Sequence, residues 1–277
     1  MNKLPFISIV VPVKNSSLFL EECLDSLKKQ TYKNWELIAV DNNSTDISWE
    51  ILKKFAKKDK RIKVYQVKKS DGVSATVNFA ISKAKGDLIA RMDADDVAFP
   101  NRLEKQSKFL QRHPKVVSVG GQCTLIDEEG KKIGTKNFPT DFDSIKKMIF
   151  WQIPLQQPTI MINKALLPNR FPWYDESFEV AEEIDLLFKL FSLGEVRNLK
   201  DYVLKYRIHN KNISLKNPKK TFYLTLKSRI KGVFKYGYLP SMKGLVFSLL
   251  QVSLVSLLPK SWIYPLYKKM SKFFWSP

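Results

Sequence analysis

Apolar positions along the N-terminal half alternate between two periods. Residues 7–11 form a short β-rich apolar run, and Leu20, Cys23, Leu24 and Leu27 come next at the spacing of one helical face. Residues 35–40 are strand-like and end on Asp41; Ile51, Leu52 and Phe55 mark a second amphipathic helix, and residues 62–67 a third strand. Residues 74–83 read as a third helix stopped at Gly86. A strand over 87–92 comes after it, then a helix from about Pro100, which suits a first turn, to Arg112. Strand and helix in alternation, with short links, predict right-handed crossovers and a mostly parallel sheet flanked by helices, an α/β fold.

The pattern changes after an apolar run at 116–120. Residues 127–131 have the composition of a hairpin turn, and Pro154 and Pro158 break up the stretch between that turn and residue 182. A helix returns over 182–193, with Ile184, Leu187, Phe188 and Phe191 inward and Gly194 as its stop. From 216 onward basic and apolar blocks alternate. The most apolar window, 245–258, is 14 residues long and bounded by Lys243, Pro259 and Lys260; a spanning helix needs about 20. It is expected to lie along a membrane surface, with lysines at the head groups and Trp262, Tyr264, Tyr267, Phe273, Phe274 and Trp275 near the boundary.

Chemistry enters where the strand over 87–92 ends in Asp93-Ala94-Asp95-Asp96. The crevice beyond strand C-termini is where open α/β sheets bind ligands. Carboxylates clustered there suit a hard divalent cation that shares oxygen ligands with a diphosphate.

Composition and charge then narrow the class. With 44% hydrophobic and 27% charged residues the chain is of the folded, globular kind. The net charge of +20 invites a nucleic-acid reading, but its distribution argues against one. All 27 acidic residues lie at or before Asp201, where they face 32 basic ones, while residues 202–277 hold 15 Lys and Arg. The excess charge belongs to the tail and alternates there with long apolar stretches, so no nucleic acid is expected as a partner. The two cysteines, Cys23 and Cys123, form neither a zinc pattern nor a disulfide framework and suit a reducing cytoplasm. Residues 7–11 are too short for a signal-peptide core and end at Pro12, so no secretory leader is expected there.

Several segments, in order, carry a resemblance. Val10-Val11-Pro12-Val13-Lys14-Asn15 looks like V-P-x-Y-N, and residues 20–32 are similar to a first helix ending in Q-T-Y. Residues 36–46 are similar to E-L-I-x-V-D-D-G-S-T-D, with Asn42 at the second Asp, and Gly72 to Asn78 to G-x-S-x-A-x-N, before Ala84-Lys85-Gly86-Asp87. Residues 93–103 match D-A-D-D-x-x-x-P-x-R-L. Downstream, Tyr174 to Phe178 resembles Y-D-E-x-F, Ala181 to Leu186 resembles A-E-D-x-D-L, and Tyr206-Arg207-Ile208-His209 with Ser214 resembles Y-R-x-H and its serine. The chain over residues 6–215 thus resembles the family 2 glycosyltransferases, inverting enzymes of the GT-A fold, of the kind that builds bacterial surface polysaccharide.

The resemblance implies a GT-A domain over 1–215, with a nucleotide-binding half to about 120 and an acceptor half from 121. The basic helical extension over 216–277 would hold the enzyme at the cytoplasmic face of a membrane. It implies a nucleotide-sugar donor, UDP-linked by expectation, a lipid-linked or polysaccharide acceptor, and Mn²⁺ or Mg²⁺. Pro12, Lys14, Asp41, Asn78 and Asp93 would bind the donor nucleotide, with Lys14 in place of a stacking Tyr, so that base stacking is lost or becomes a cation–π contact. Asp95, Asp93 and His209 would meet the metal; Arg207 and Lys211 would neutralise phosphate. Asp96 would serve the acceptor or support the site from behind, and Asp185 would orient the 182–193 helix or bind the acceptor. The base would be Glu183 or its neighbour Glu182, in the first turn of the 182–193 helix, where mutual repulsion raises a carboxyl pKa. Two other classes stay open on the sequence: a nucleic-acid-binding protein, and a nucleotidyltransferase that makes nucleotide sugars.

Overall fold

The computed structural model describes residues 4–68, 72–209, 217–259 and 262. Its sheet is centred on β1 (Ile7–Val13), flanked in parallel by β2 (Trp35–Asp41) and β4 (Leu88–Arg91), with β3 (Ile62–Gln66) parallel to β2. The residues of β2 and β4 are all buried and those of β1 nearly so, as expected of parallel strands covered on both faces. Period-two alternation divides them. Ile7, Ile9, Val11, Leu37 and Ala39 pack with α1 (Leu20–Lys28), α2 (Ser48–Lys58) and α4 (Arg102–Arg112). Val10, Ile38, Val40 and Ile89 face α3 (Gly72–Lys83), α5 (Phe142–Met148) and α6 (Glu182–Phe191).

Beyond β4 the sheet is mixed rather than parallel. β8 (Met161–Asn163) runs antiparallel to both β4 and β6 (Val116–Ile126), β6 pairs in parallel with β9 (Glu195–Arg207), and β7 (Lys132–Lys136) closes the expected hairpin. The apolar signal of β6 lapses at Gly120 and Gly121, yet the strand continues to Ile126 with register shifts beside β9. A two-residue strand, β5 (Val97–Ala98), pairs antiparallel with β9, Val97 opposite Lys205. That pairing sets the acidic turn at 93–96 beside residues 205–209. Gly86 ends no helix; it allows close approach, because a Cβ there would stand 2.4 Å from the Ser8 nitrogen. The helix expected from Pro100 begins two residues later, at Arg102.

Two helices complete the described chain. α7 (Pro218–Tyr236) starts on an Asn217 cap with proline in its first turn and ends at Gly237, φ +65°. It lies on α6, with Gly232 directly against the Phe188 ring. α8 (Met242–Leu257), capped by Ser241, buries Gly244, Ser248 and Val255 and exposes Met242, Leu249, Leu250 and Leu257. No described helix is long and apolar enough to cross a membrane. Trp262 is exposed; Lys211, Ser214, Lys260, Tyr264, Tyr267, Phe273, Phe274 and Trp275 lie outside the described residues.

Candidate active site

The loops after β1, β2 and β4 leave the sheet at the same end, the C-terminal edge of its parallel half. Two of them interlock. Asn15 (φ 47°) and Asn43 (φ 55°) adopt left-handed backbone, and Asn15 Oδ1 accepts from the Thr45 amide (2.8 Å) while Ser44 Oγ accepts from the Asn15 amide (2.9 Å). Pro12, one residue before the end of β1, is half-buried. Lys14 is exposed, and its ammonium donates to the Asn42 carbonyl at 3.0 Å. Asp41 is fully buried at the end of β2. Its Oδ2 accepts from the Ser44 amide (3.1 Å) and Gln66 Nε2 (3.0 Å), and its buried Oδ1 has no hydrogen-bond partner among the described residues. Such an orphaned acceptor is costly unless a ligand donates to it.

The acidic turn holds Asp93, Asp95 and Asp96, one ligand oxygen from each lying within 4.8 Å of the others. Asp93 is gripped by Arg91, 2.6 Å away. Burial raises its pKa; Arg91 opposes that shift and Asp95 adds to it. Asp95 Oδ2 lies 2.8 Å from His209 Nε2, at the exit of β9, and the His209 ring packs on Phe19. Asp96 is fully buried, its Oδ1 accepting from the Arg207 amide at 2.9 Å and its Oδ2 left without a hydrogen-bond partner among the described residues. An acceptor contact expected of Asp96 therefore does not fit: the side chain supports the turn from below. The donor set suits Mn²⁺ or Mg²⁺, since three crowded carboxylates, two with pKa values raised by burial and mutual repulsion, are relieved by a hard cation, and the adjoining imidazole is compatible with Mn²⁺.

The second acidic group begins α6. Ala181 precedes it in left-handed backbone (φ 63°), a strained geometry for a residue with a Cβ, which aims the first turn. Glu182 is buried and accepts from Gln157 Nε2 at 3.1 Å. Glu183 is half-buried, and its pKa is pushed up to about 8, chiefly by burial and then by the neighbouring Glu182. Arg91 links the two clusters: it pairs with Asp93, and its charge also acts on Glu182 and Tyr174. Neither Arg91 nor Gln157 is among the site residues expected from the sequence. An arginine inside an otherwise apolar, wholly buried strand is the signal that marks the first; the second has none.

Two further expectations are corrected, those for Asn78 and Arg207, and for Asp185 the geometry favours the helix-orienting role over the acceptor one. Asn78 does not reach a nucleotide: its amide is used by the backbone N–H and carbonyl of Tyr174 (3.0 and 2.9 Å) and by Glu176 (2.9 Å), pinning the 174–176 loop to α3. Asp185 does not face an acceptor. It is fully buried, 2.8 Å from Lys189 Nζ and 2.7 Å from Lys231 Nζ, so it fixes α6 to α7. Arg207 does not face phosphate; its guanidinium is 1% exposed and taken up by protein groups.

A family model described as Glycosyl transferase family 2 matches residues 8–167. The O-antigen biosynthesis glycosyltransferase WbnJ of Escherichia coli is 33% identical over 216 residues, which cover 76% of this chain and 82% of that protein. An uncharacterized glycosyltransferase of Rickettsia bellii is 32% identical over 77% of this chain, and the match spans only 30% of that relative's length. Among solved structures, S. aureus TarS 1–349 in complex with UDP-GlcNAc matches with a TM-score of 0.65 at 21% identity, covering 83% of this chain and 67% of that one. Mannosyltransferase PcManGT from Pyrobaculum calidifontis, in complex with GDP-Man and Mn²⁺, matches with a TM-score of 0.62 at 15% identity over 100% of this chain and 82% of its own. At such identities the likeness shows the fold, a GT-A arrangement of a mixed sheet flanked by helices. The family model alone spans more than half of the residues, and the chain belongs to the family 2 glycosyltransferases.

Proposed function

We propose that this protein transfers a sugar, with inversion, from a nucleotide-sugar donor to a hydroxyl of a lipid-linked or polysaccharide acceptor. The observation that carries this reading is the pairing of a metal-type carboxylate turn with a second, high-pKa carboxylate pair across the buried Arg91. Asp41 Oδ1 accepts an N–H from the base, which favours a uracil-type donor, and Lys14 and Pro12 flank it. Asp93 binds the ribose side, and Asp95, with Asp93 and His209, holds Mn²⁺ or Mg²⁺. When bound, the cation supplies Lewis-acid stabilisation of the leaving diphosphate.

Glu183 takes the acceptor's proton. The acceptor oxygen bonds to the anomeric carbon from the face opposite the diphosphate as the bond from that carbon to the phosphate oxygen breaks, through an oxocarbenium-like transition state. Glu183 is preferred to Glu182 because it is the less buried of the two, whereas the Glu182 carboxylate is already engaged by Gln157. The test is nucleoside-diphosphate release across a panel of nucleotide sugars, in Mn²⁺, Mg²⁺ or EDTA, with solubilised membrane lipid as acceptor. Metal-dependent release from one donor is the expected result. Pyrophosphate release from a nucleoside triphosphate and a sugar phosphate, with no diphosphate release, would show a nucleotidyltransferase instead.

Residues 216–277 hold the enzyme on the cytoplasmic face of a membrane. In support, α8 buries Gly244, Ser248 and Val255 and turns leucines to solvent, Leu249 67% and Leu257 83% exposed, and Phe234 and Leu239 are exposed as well. Lys219, Lys227, Lys235 and Lys243 lie on the same helical pair or between its blocks, each worth about 1 kcal/mol near an anionic leaflet. The protein is expected to float with phosphatidylglycerol vesicles and less with phosphatidylcholine, and Leu249→Asp with Leu250→Asp to stay in solution with an unchanged circular-dichroism spectrum. Equal flotation of the double variant would rule this surface out.

A further inference from the structure

We infer that Arg207 is a positioning residue that sets the acidic turn in its metal-binding shape; the inference rests on the metal reading of that turn. Its Nε donates to the Asp95 carbonyl at 2.9 Å, and its backbone N–H donates to Asp96 Oδ1 at 2.9 Å. Nη1 donates to the carbonyls of Asp127 and Glu128, both at 2.9 Å, in the β6–β7 hairpin turn. Nη2 pairs with Glu22 on α1, and the guanidinium lies over the Phe19 ring, 4.5 Å from its centroid. One side chain therefore ties the acidic turn to a hairpin and a helix distant in sequence.

The geometry separates this from ordinary core packing. Arg207 holds the backbone of Asp95 while His209, two residues on along the chain, holds the same residue's carboxylate. The short β5–β9 pairing brings both to the turn. A planar, permanently charged fork can satisfy these diverging carbonyls and a carboxylate together; a lysine ammonium has one nitrogen and cannot span them. Without the fork, three crowded carboxylates repel one another and the turn opens. Partners that orient metal ligands typically account for about 10–100-fold in metal affinity or activity.

The test measures Mn²⁺ binding to the donor-free protein by electron paramagnetic resonance of the unbound ion. Arg207→Lys is expected to weaken Mn²⁺ binding by about 10-fold or more, with binding of the nucleoside diphosphate in EDTA unchanged. Glu22→Gln is the second variant: Glu22 is 54% exposed, so this protein folds whatever Arg207→Lys does, and it loosens one arm of the fork. It is expected to weaken Mn²⁺ binding by a smaller factor in the same direction. Wild-type Mn²⁺ affinity in a folded Arg207→Lys, or in Glu22→Gln where Arg207→Lys does not fold, would overturn the inference and leave the metal site standing. Absence of Mn²⁺ binding by the wild type would overturn both.

Discussion

Glu183→Gln is expected to lower the transfer rate by about 10²–10⁴-fold while donor binding is retained, because glutamine keeps the shape but cannot accept the acceptor's proton. The pH dependence gives the residue its signature. With the carboxyl held near 8 by burial and by Glu182, kcat/KM of the wild type rises with pH and levels off above about 8. Stability runs the other way. Because the folded-state pKa lies above the unfolded value, the folded protein keeps a proton that the unfolded chain releases, so the stabilising contribution is whole below the unfolded pKa and is lost as pH rises to about 8. Glu183→Gln removes that loss, and thermal melts at pH 5 and pH 9 should show it gaining on the wild type at the higher pH. Glu182→Gln discriminates between the neighbours: it removes a like charge, so the acid limb of the rate profile should move to lower pH with the base intact. A flat pH profile in the wild type, or full activity in Glu183→Gln, would remove Glu183 from the base role.

The parallel half is legible in the sequence because its strands are buried on both faces and its helices on one, so two different periods are written into the residues. The acidic turn is legible for a related reason: carboxylates directly after a buried strand have a place to be. Sequence reading misplaces polar residues whose partners lie far away in the chain. Asn78 looks available on a helix face, but its amide closes on Tyr174 and Glu176, and no local pattern announces that contact. Arg207 sits in a recognisable motif, yet the groups that consume it come from α1, the acidic turn and a hairpin, brought together only by the β5–β9 pairing. The mixed part of the sheet escapes because β7 and β8 are short, Gly120 and Gly121 interrupt β6, and β9 carries many polar residues, so their apolar signal is weak.

Asp185→Ala is expected to destabilise the fold by about 3–5 kcal/mol, the cost of leaving buried charge without its partner. Asp185 is fully buried between Lys189, itself 7% exposed, and Lys231, with the Tyr236 hydroxyl 3.3 Å away. Asp175 reaches the same Lys231 ammonium at 2.7 Å, and the two carboxylates hold that lysine above its usual range even though burial works against it. Lys231 retains Asp175, and the more buried Lys189 retains only the Pro172 and Trp173 carbonyls, so Lys189 bears most of the loss, while the missing Asp185–Lys231 pair should loosen α7 from α6. A lower urea midpoint with a broader transition would report that release. The first-turn carboxylates of α6 belong to the same rigid unit, so activity should fall with it even though Asp185 touches no reactant. Asp175→Ala, at a site 30% exposed, should cost less. Combining Asp185→Ala with Lys231→Met should cost less than the sum of the two singles, because the second substitution has no Asp185–Lys231 pair left to break. If the double variant is instead as weak as the sum of the singles, the ion pair does not couple these helices, and α7 is held by its other contacts, among them Gly232 against Phe188 and Arg229 Nε on the Ile149 carbonyl.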